Sequence, residues 1–367
     1  MRARRVLTVL LPAMLAITLA GPVPVALARS DAVEPAAASA GGREPVDLQA
    51  HRGGATLAVE SSRLSFGTAL ELGVDTLELD VQITRDGRAV VTHDRQVSDE
   101  VCTDTGPAVP GDPQFPYVGK YVKDLTFAQL RTMDCGSVRR PAHPAQQLSP
   151  GARMMELSEV FALAREYGAD DVRFNVETKV EAAAPEETAP REEFVQVVAA
   201  QVRSAGVADR TTIQSFDLAA LARMREVAPE LERIFLMNES FLQLGEPGAS
   251  PWLNGLDADD LGPDPATALV AAARTVDAAA ISPVHGTPQS AAVTAPDYTP
   301  FTTAEMVRAA HDAGLAVIPW TPNDVPTMDA LLDLGVDGII TDAPDRARWL
   351  FERRGLPLPA PRPAPGS

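Results

Sequence analysis

Leu48–Asp94 reads LQAHRGGATLAVESSRLSFGTALELGVDTLELDVQITRDGRAVVTHD. An apolar run ends on His51-Arg52-Gly53-Gly54. Ser61 or Ser62 then caps a helical pattern with apolar residues at Leu64, Phe66, Ala69, Leu70 and Leu72, and Gly73 stops it. Thr76 to Thr84 reads as a strand, Arg85-Asp86-Gly87-Arg88 as a hairpin turn in which Asp-Gly is the strong signal, and Ala89 to Thr92 as its partner. Histidines, an arginine and carboxylates thus gather at the ends of short strands, the place where an α/β barrel carries its chemistry.

The same alternation continues downstream. Strands are expected at 172–176, 211–214, 234–237, 278–281, 316–320 and 338–341, with helices between them and a last helix at 344–353. About eight strand–helix units mean a parallel sheet with helical crossovers, and in one domain they fit a closed (β/α)8 TIM barrel better than an open doubly wound sheet. No GxGxxG or Walker loop follows the first strand, which disfavours dinucleotide binding. The barrel is placed at 46–354. Residues 95–150, rich in Pro, Gly and Asp, read as an insertion after the second strand; 181–190 reads as an acidic linker and 239–266 as irregular. The Pro-rich tail, 355–367, is expected to be unstructured.

Composition bounds the function. The chain has 367 residues, 45% of them hydrophobic, and a formal net charge of −18. Such an acidic surface argues against nucleic-acid binding and against docking on anionic lipid. Residues 1–28 have a basic head, an apolar run and an Ala26-Leu27-Ala28 ending, the pattern of a cleaved secretory signal peptide. The mature chain is therefore expected to begin near Arg29, to be secreted without a membrane anchor, and to open with a disordered lead-in (29–45). In an exported protein the two cysteines, Cys102 and Cys135, are most simply one disulfide inside the insertion.

Glu78 and Asp80 lie two apart on a strand and so face the same side. Two carboxylates on an otherwise buried face are tolerable with a cation between them. Glu177, at the end of the next barrel strand, can supply a third, and an all-oxygen set suits a hard ion, Mg2+ or Ca2+. Only three lysines occur, and Lys179 stands two residues after Glu177. Arg52, Lys179 and a divalent cation together could neutralise a phosphate. His51 and His93 are placed for general acid and base work. His143, His285 and His311 read as structural.

These residues resemble the glycerophosphodiester phosphodiesterases. The similarity is carried by HRGG at 51–54, ELDVQITRDG at 78–87, THD at 92–94, VETK at 176–179, IQSFD at 213–217, VIPWTPND at 317–324 and DGIITDAPD at 337–345, in the family's order across most of 46–352. The resemblance implies a barrel with one divalent metal at Glu78, Asp80 and Glu177, catalytic His51 and His93, and phosphate contacts from Arg52 and Lys179. It places Trp320 against a glycerol moiety and Glu60 among the substrate contacts, where it would help to orient the site. The family's Pro-Glu-Asn appears here as Val59-Glu60-Ser61, so the asparagine's contact is lost or reduced. The implied reaction is hydrolysis of a small-molecule glycerophosphodiester to sn-glycerol 3-phosphate and an alcohol, by direct attack of water or through a cyclic phosphate. The alternatives are a phospholipase D-like activity on lysolipid or sphingolipid head groups and, in another class, a non-catalytic phosphate binder. The first would need an apolar groove, for which Phe115, Tyr117, Tyr121 and Phe127 of the insertion are available. The leaving alcohol, the choice of Ca2+ or Mg2+ and the oligomeric state stay open.

Overall fold

The computed structural model describes residues 45–366; the expected leader, 1–28, and nearly all of the lead-in, 29–45, fall outside them. Eight parallel strands are found: β1 (Asp47–Ala50), β2 (Thr76–Ile83), β3 (Arg173–Thr178), β4 (Thr211–Ser215), β5 (Glu232–Met237), β6 (Ala280–Pro283), β7 (Ala316–Val317) and β8 (Gly338–Thr341). Their order runs β7-β6-β5-β4-β3-β2-β1-β8. The ring closes through a parallel bridge between Trp320 and Ile340 and a bond from the Ile340 N–H to the Pro319 carbonyl. The expected 316–320 strand is therefore interrupted: Pro319 has no N–H to give to a ladder, and pairing resumes at Trp320. A helix follows each strand, from Arg63–Leu72 after β1 to Pro344–Arg354 after β8. Ser62, Asp217, Asp264, Thr303 and Asp324 cap five of these helices by accepting from first-turn N–H groups.

Strand alternation sorts the core. Leu48, Leu77, Leu79, Phe174, Val176 and Ile213 point outward and pack under the helices. The barrel interior is divided. Ile234, Ala280, Ile318 and Ile340 make one apolar side. The β1–β4 side instead carries Gln49, Glu78, Asn175 and Gln214, all at most 1% exposed.

The hairpin strand Ala89–Val91 pairs antiparallel with β2 and leads into the insertion. Cys102 and Cys135 are bonded, 33 residues apart. They sit in a small separate core with Tyr117, Val122, Leu125, Leu130 and Met133, against which Phe115 and Phe127 pack. Three of the four insertion aromatics are thus spent on internal packing. The segment 239–266 holds short helical turns at Glu239–Leu242, Pro251–Leu253 and Ala258–Leu261. The tail has no regular element, yet it lies against the barrel floor: the Arg362 N–H donates to the Leu70 carbonyl, and Arg348 holds the Pro359 carbonyl. Among the described residues no helix is long and apolar enough to cross a membrane.

Candidate active site

β1 runs into a tight turn, His51–Gly53, at the carboxyl end of the barrel. Arg52 has φ +52° and Gly53 +82°. A Cβ on Gly53 would lie 2.6 Å from Ser65 Oγ and 2.8 Å from the Phe66 nitrogen, so glycine is required there. The left-handed Arg52 is held on both sides: its N–H donates to Glu78 Oε2 at 2.9 Å, and its carbonyl accepts from the Ser61 N–H at 2.9 Å. Ser61 is itself left-handed, at φ +55°, and its buried Oγ has no partner.

Parallel register sets Asp80 beside Glu177, and both face inward with Glu78. One oxygen from each of the three lies within 4.8 Å of the others. Glu78 Oε1 accepts from Gln214 Nε2 at 2.7 Å. Lys179 Nζ sits 2.8 Å from Glu177 and 3.7 Å from Asp80, and Arg52 Nε lies 3.3 Å from Asp80. Asp80 is fully buried, and neither of its oxygens has a hydrogen-bond partner. Buried carboxylate oxygens are rarely left so, and an orphan pair between two other carboxylates is what a cation would satisfy.

The charges divide accordingly. Burial opposes ionisation of Asp80, but His93, Lys179 and Arg52 hold its carboxyl far below the usual range. Burial pushes Glu78 up to about 7, with Asp80 adding to the effect and His51 opposing it. Burial likewise pushes Glu177 up to about 8, against the attraction of Lys179.

The two histidines are built alike and tuned apart. His51 Nδ1 lies 2.6 Å from Asp342 Oδ1, and Asn323 Nδ2 holds the other Asp342 oxygen at 2.8 Å. His93 Nδ1 lies 2.8 Å from Asp94. In each neutral ring the carboxylate fixes the proton on Nδ1 and leaves Nε2 as the working atom. Burial would lower His51, but Asp342 and Glu78 outweigh burial and Arg52, so its pKa is raised. His93 is lowered to about 4 by burial, then by Arg52 and Lys179. Its side chain is 34% exposed, so solvent softens that shift.

His51, Arg52, Glu78, His93, Asp94, Glu177 and Lys179 line a cavity of about 680 Å³. Phe216, Phe241, Trp252 and Trp320 form its far wall: Phe216 meets Trp320 edge-on at 5.4 Å, and Phe241 stacks on Trp252 at 4.1 Å. On the near side Tyr121, alone among the insertion's four aromatics, reaches the cavity and donates to Glu187 at 2.8 Å. Arg95 pairs with both Glu181 and Glu187 beside it.

His51, Arg52, Glu78, Asp80, His93, Glu177, Lys179 and Trp320 therefore converge as the sequence suggests. Glu60 is set apart from them: one of its oxygens is on Arg52 Nη1 at 2.9 Å and the other is on Arg140, so it braces Arg52 and is not among the residues that line the cavity. Asp342, Asn323 and Gln214 lie within stretches quoted from the sequence, but their partnerships depend on barrel closure. Phe241 and Trp252 come from a segment with no sequence pattern to mark it.

Fold and cavity define a (β/α)8-barrel enzyme with a charged site suited to a phosphate ester. The chain belongs to the Glycerophosphoryl diester phosphodiesterase family, whose profile matches residues 51–346. It is 26% identical over 306 residues to a glycerophosphodiester phosphodiesterase of Caldanaerobacter subterraneus subsp. tengcongensis, covering 83% of this chain and 98% of that one. A Silicibacter pomeroyi crystal structure named for the same family superposes with a TM-score of 0.68 at 28% identity, covering 86% of this chain and 96% of that one. The fold is also that of an Oleispira antarctica phosphodiesterase solved with the product sn-glycerol-3-phosphate (TM-score 0.59, 19% identity, covering 84% and 97%).

Proposed function

We propose that the chain hydrolyses glycerophosphodiesters to sn-glycerol 3-phosphate and an alcohol, using one divalent cation, Ca2+ or Mg2+, and the His51/His93 pair. The observation that carries this reading is Asp80, buried beside Glu78 and Glu177 with neither of its oxygens hydrogen-bonded. A cation held there supplies positive charge against the phosphoryl oxygens. Arg52 and Lys179 flank the same point and bind the phosphate from two sides. Nε2 of one histidine takes the nucleophile's proton, and Nε2 of the other returns one to the leaving oxygen. The opposed environments of the two rings support such an acid–base division. Asp342 and Asp94 orient the rings, and Trp320 offers an aromatic face to the glycerol carbons. The product bound by the Oleispira protein of the same fold supports glycerol phosphate as the retained half.

The test is release of glycerol 3-phosphate from glycerophosphocholine by the purified protein after EDTA treatment, then with Ca2+ or Mg2+ restored. No turnover under any of these conditions would sink the proposal, and full turnover in EDTA would remove the metal from it. We also propose export, with the signal peptide removed near Arg29. N-terminal sequencing of protein recovered from the medium of the producing cells tests this, and retention of Met1 overturns it.

A further inference from the structure

An unbroken chain of side-chain amides runs through the polar half of the barrel interior, from the floor to Glu78. Gln214 Nε2 donates to Glu78 Oε1 at 2.7 Å, and Gln214 Oε1 accepts from Asn175 Nδ2 at 2.8 Å. The same Asn175 nitrogen donates to Gln49 Oε1 at 2.9 Å, and Gln49 Nε2 donates to Asp47 Oδ2 at 2.8 Å. Asp47 is anchored in turn by the Thr76 hydroxyl at 2.8 Å and by Arg173 at 2.9 Å. Asn175 Oδ1 accepts from Thr212 Oγ1 at 3.0 Å. Asn175 and Gln214 are 0% and 1% exposed, so neither has bulk water as an alternative partner.

The chain has one direction. Asn175 sits between two glutamine oxygens and can satisfy them only by presenting its NH2. The Thr212 hydroxyl satisfies its Oδ1 in that orientation. Each glutamine, its oxygen taken, must turn its own NH2 to a carboxylate: Gln49 to Asp47, Gln214 to Glu78. Were Gln214 reversed, its oxygen would face Glu78 and its NH2 would face the Asn175 NH2. A fixed donor on Oε1, with the Arg52 N–H on Oε2, sets the rotation of the Glu78 carboxylate.

We infer that Asn175 is a positioning residue for metal binding. It acts through Gln214, whose orientation it locks, and so presets Glu78 as a ligand from the neighbouring strand β3. The inference rests on the metal reading of the Glu78–Asp80–Glu177 cluster. Thr212 belongs to the same device, and Gln49, Asp47 and Arg173 secure its lower end.

The experiment is calorimetric titration of CaCl2, and in parallel MgCl2, into the metal-free full-length protein and its variants, each first shown to be folded by its thermal melt. Gln214→Leu is expected to weaken binding by about 10–100-fold and Asn175→Leu by about tenfold. Asn175→Leu added to Gln214→Leu is expected to cause no further loss, because its route to Glu78 is already cut. Thr212→Val, which removes a hydroxyl and keeps the shape, weakens binding in the same direction and carries the test if Asn175→Leu does not fold. Unchanged affinity in both Asn175→Leu and Thr212→Val overturns the inference. So does a double variant whose losses simply add. If the wild-type protein binds neither ion, the metal reading itself fails and this inference falls with it.

Discussion

Asp80 concentrates the chemistry of the site in one side chain. It lies at the point where Arg52, Lys179 and two carboxyls of raised pKa meet, with no hydrogen bond of its own. Asp80→Asn keeps the shape and removes the charge; divalent metal binding and turnover are both expected to be lost in a protein that still melts cooperatively, as calorimetry and a thermal scan will show. His51→Ala and His93→Ala are each expected to lower kcat by about 10²–10⁴-fold, with the far-ultraviolet circular dichroism unchanged. Metal affinity carries a pH signature. Glu78 titrates near 7 and Glu177 near 8 without an ion, and both must ionise to serve as ligands. Affinity is therefore expected to fall as pH drops from 8 to 6, and binding at pH 7 to release protons. Titrations in buffers of different ionisation enthalpy measure that release, and its absence would contradict the proposed ligands. Most of these residues are legible in the sequence, because a titratable group at the end of an apolar run stands out. The carboxylates behind the histidines are less so. Asp94 is adjacent to His93, but Asp342 reaches His51 across 291 residues.

At the level of elements, the insertion does more than decorate the barrel. It sends Tyr121 to the cavity and Arg140 to Glu60, and through Glu60 it steadies Arg52. The Cys102–Cys135 bond closes a 33-residue span of it. In the chain-entropy picture such a loop is worth about 3–4 kcal/mol. The double change Cys102→Ser, Cys135→Ser is expected to open the insertion before the barrel melts. Limited proteolysis should then cut between residues 95 and 150, and KM should rise more than kcat falls. Equal protease resistance with and without the bond would contradict this. The cysteine pairing is readable because the sequence holds just two cysteines. The destination of Arg140 is not, since an arginine in a Pro-rich loop carries no pattern that says what it will touch. The turns within 239–266 are hidden for the same reason: helical turns of three or four residues are too short to show a period, yet they place Phe241 and Trp252 on the cavity wall.

The whole molecule bears the cost of its site. Glu78 and Glu177 titrate above the ordinary 4.5 of a glutamate, so between that value and about 8 the folded metal-free protein keeps protons that the unfolded chain has released. The contribution of these two groups to stability is thus present below about pH 4.5 and declines as pH rises through 7 and 8. Glu177→Gln is expected to flatten that decline, and added Ca2+ or Mg2+ to raise the Tm of the wild type more at pH 8 than at pH 5.5. Differential scanning calorimetry across this range measures both, and a metal-induced rise in Tm independent of pH would contradict them. Local signals in the sequence determined the number and order of the strands, the helix caps, the Asp-Gly hairpin and the carboxylates and histidines at strand ends, because each depends on neighbours a few residues away. Only the tertiary structure decided which side of each strand became the interior. Strand alternation divides side chains into two sets without naming the inner one, and closure between Trp320 and Ile340 makes that choice. The assembled barrel joined Gln49, Asn175 and Gln214 into a buried chain ending on Glu78, set Asp342 against His51 where β1 pairs with β8, and put Glu60 on Arg52 and Arg140.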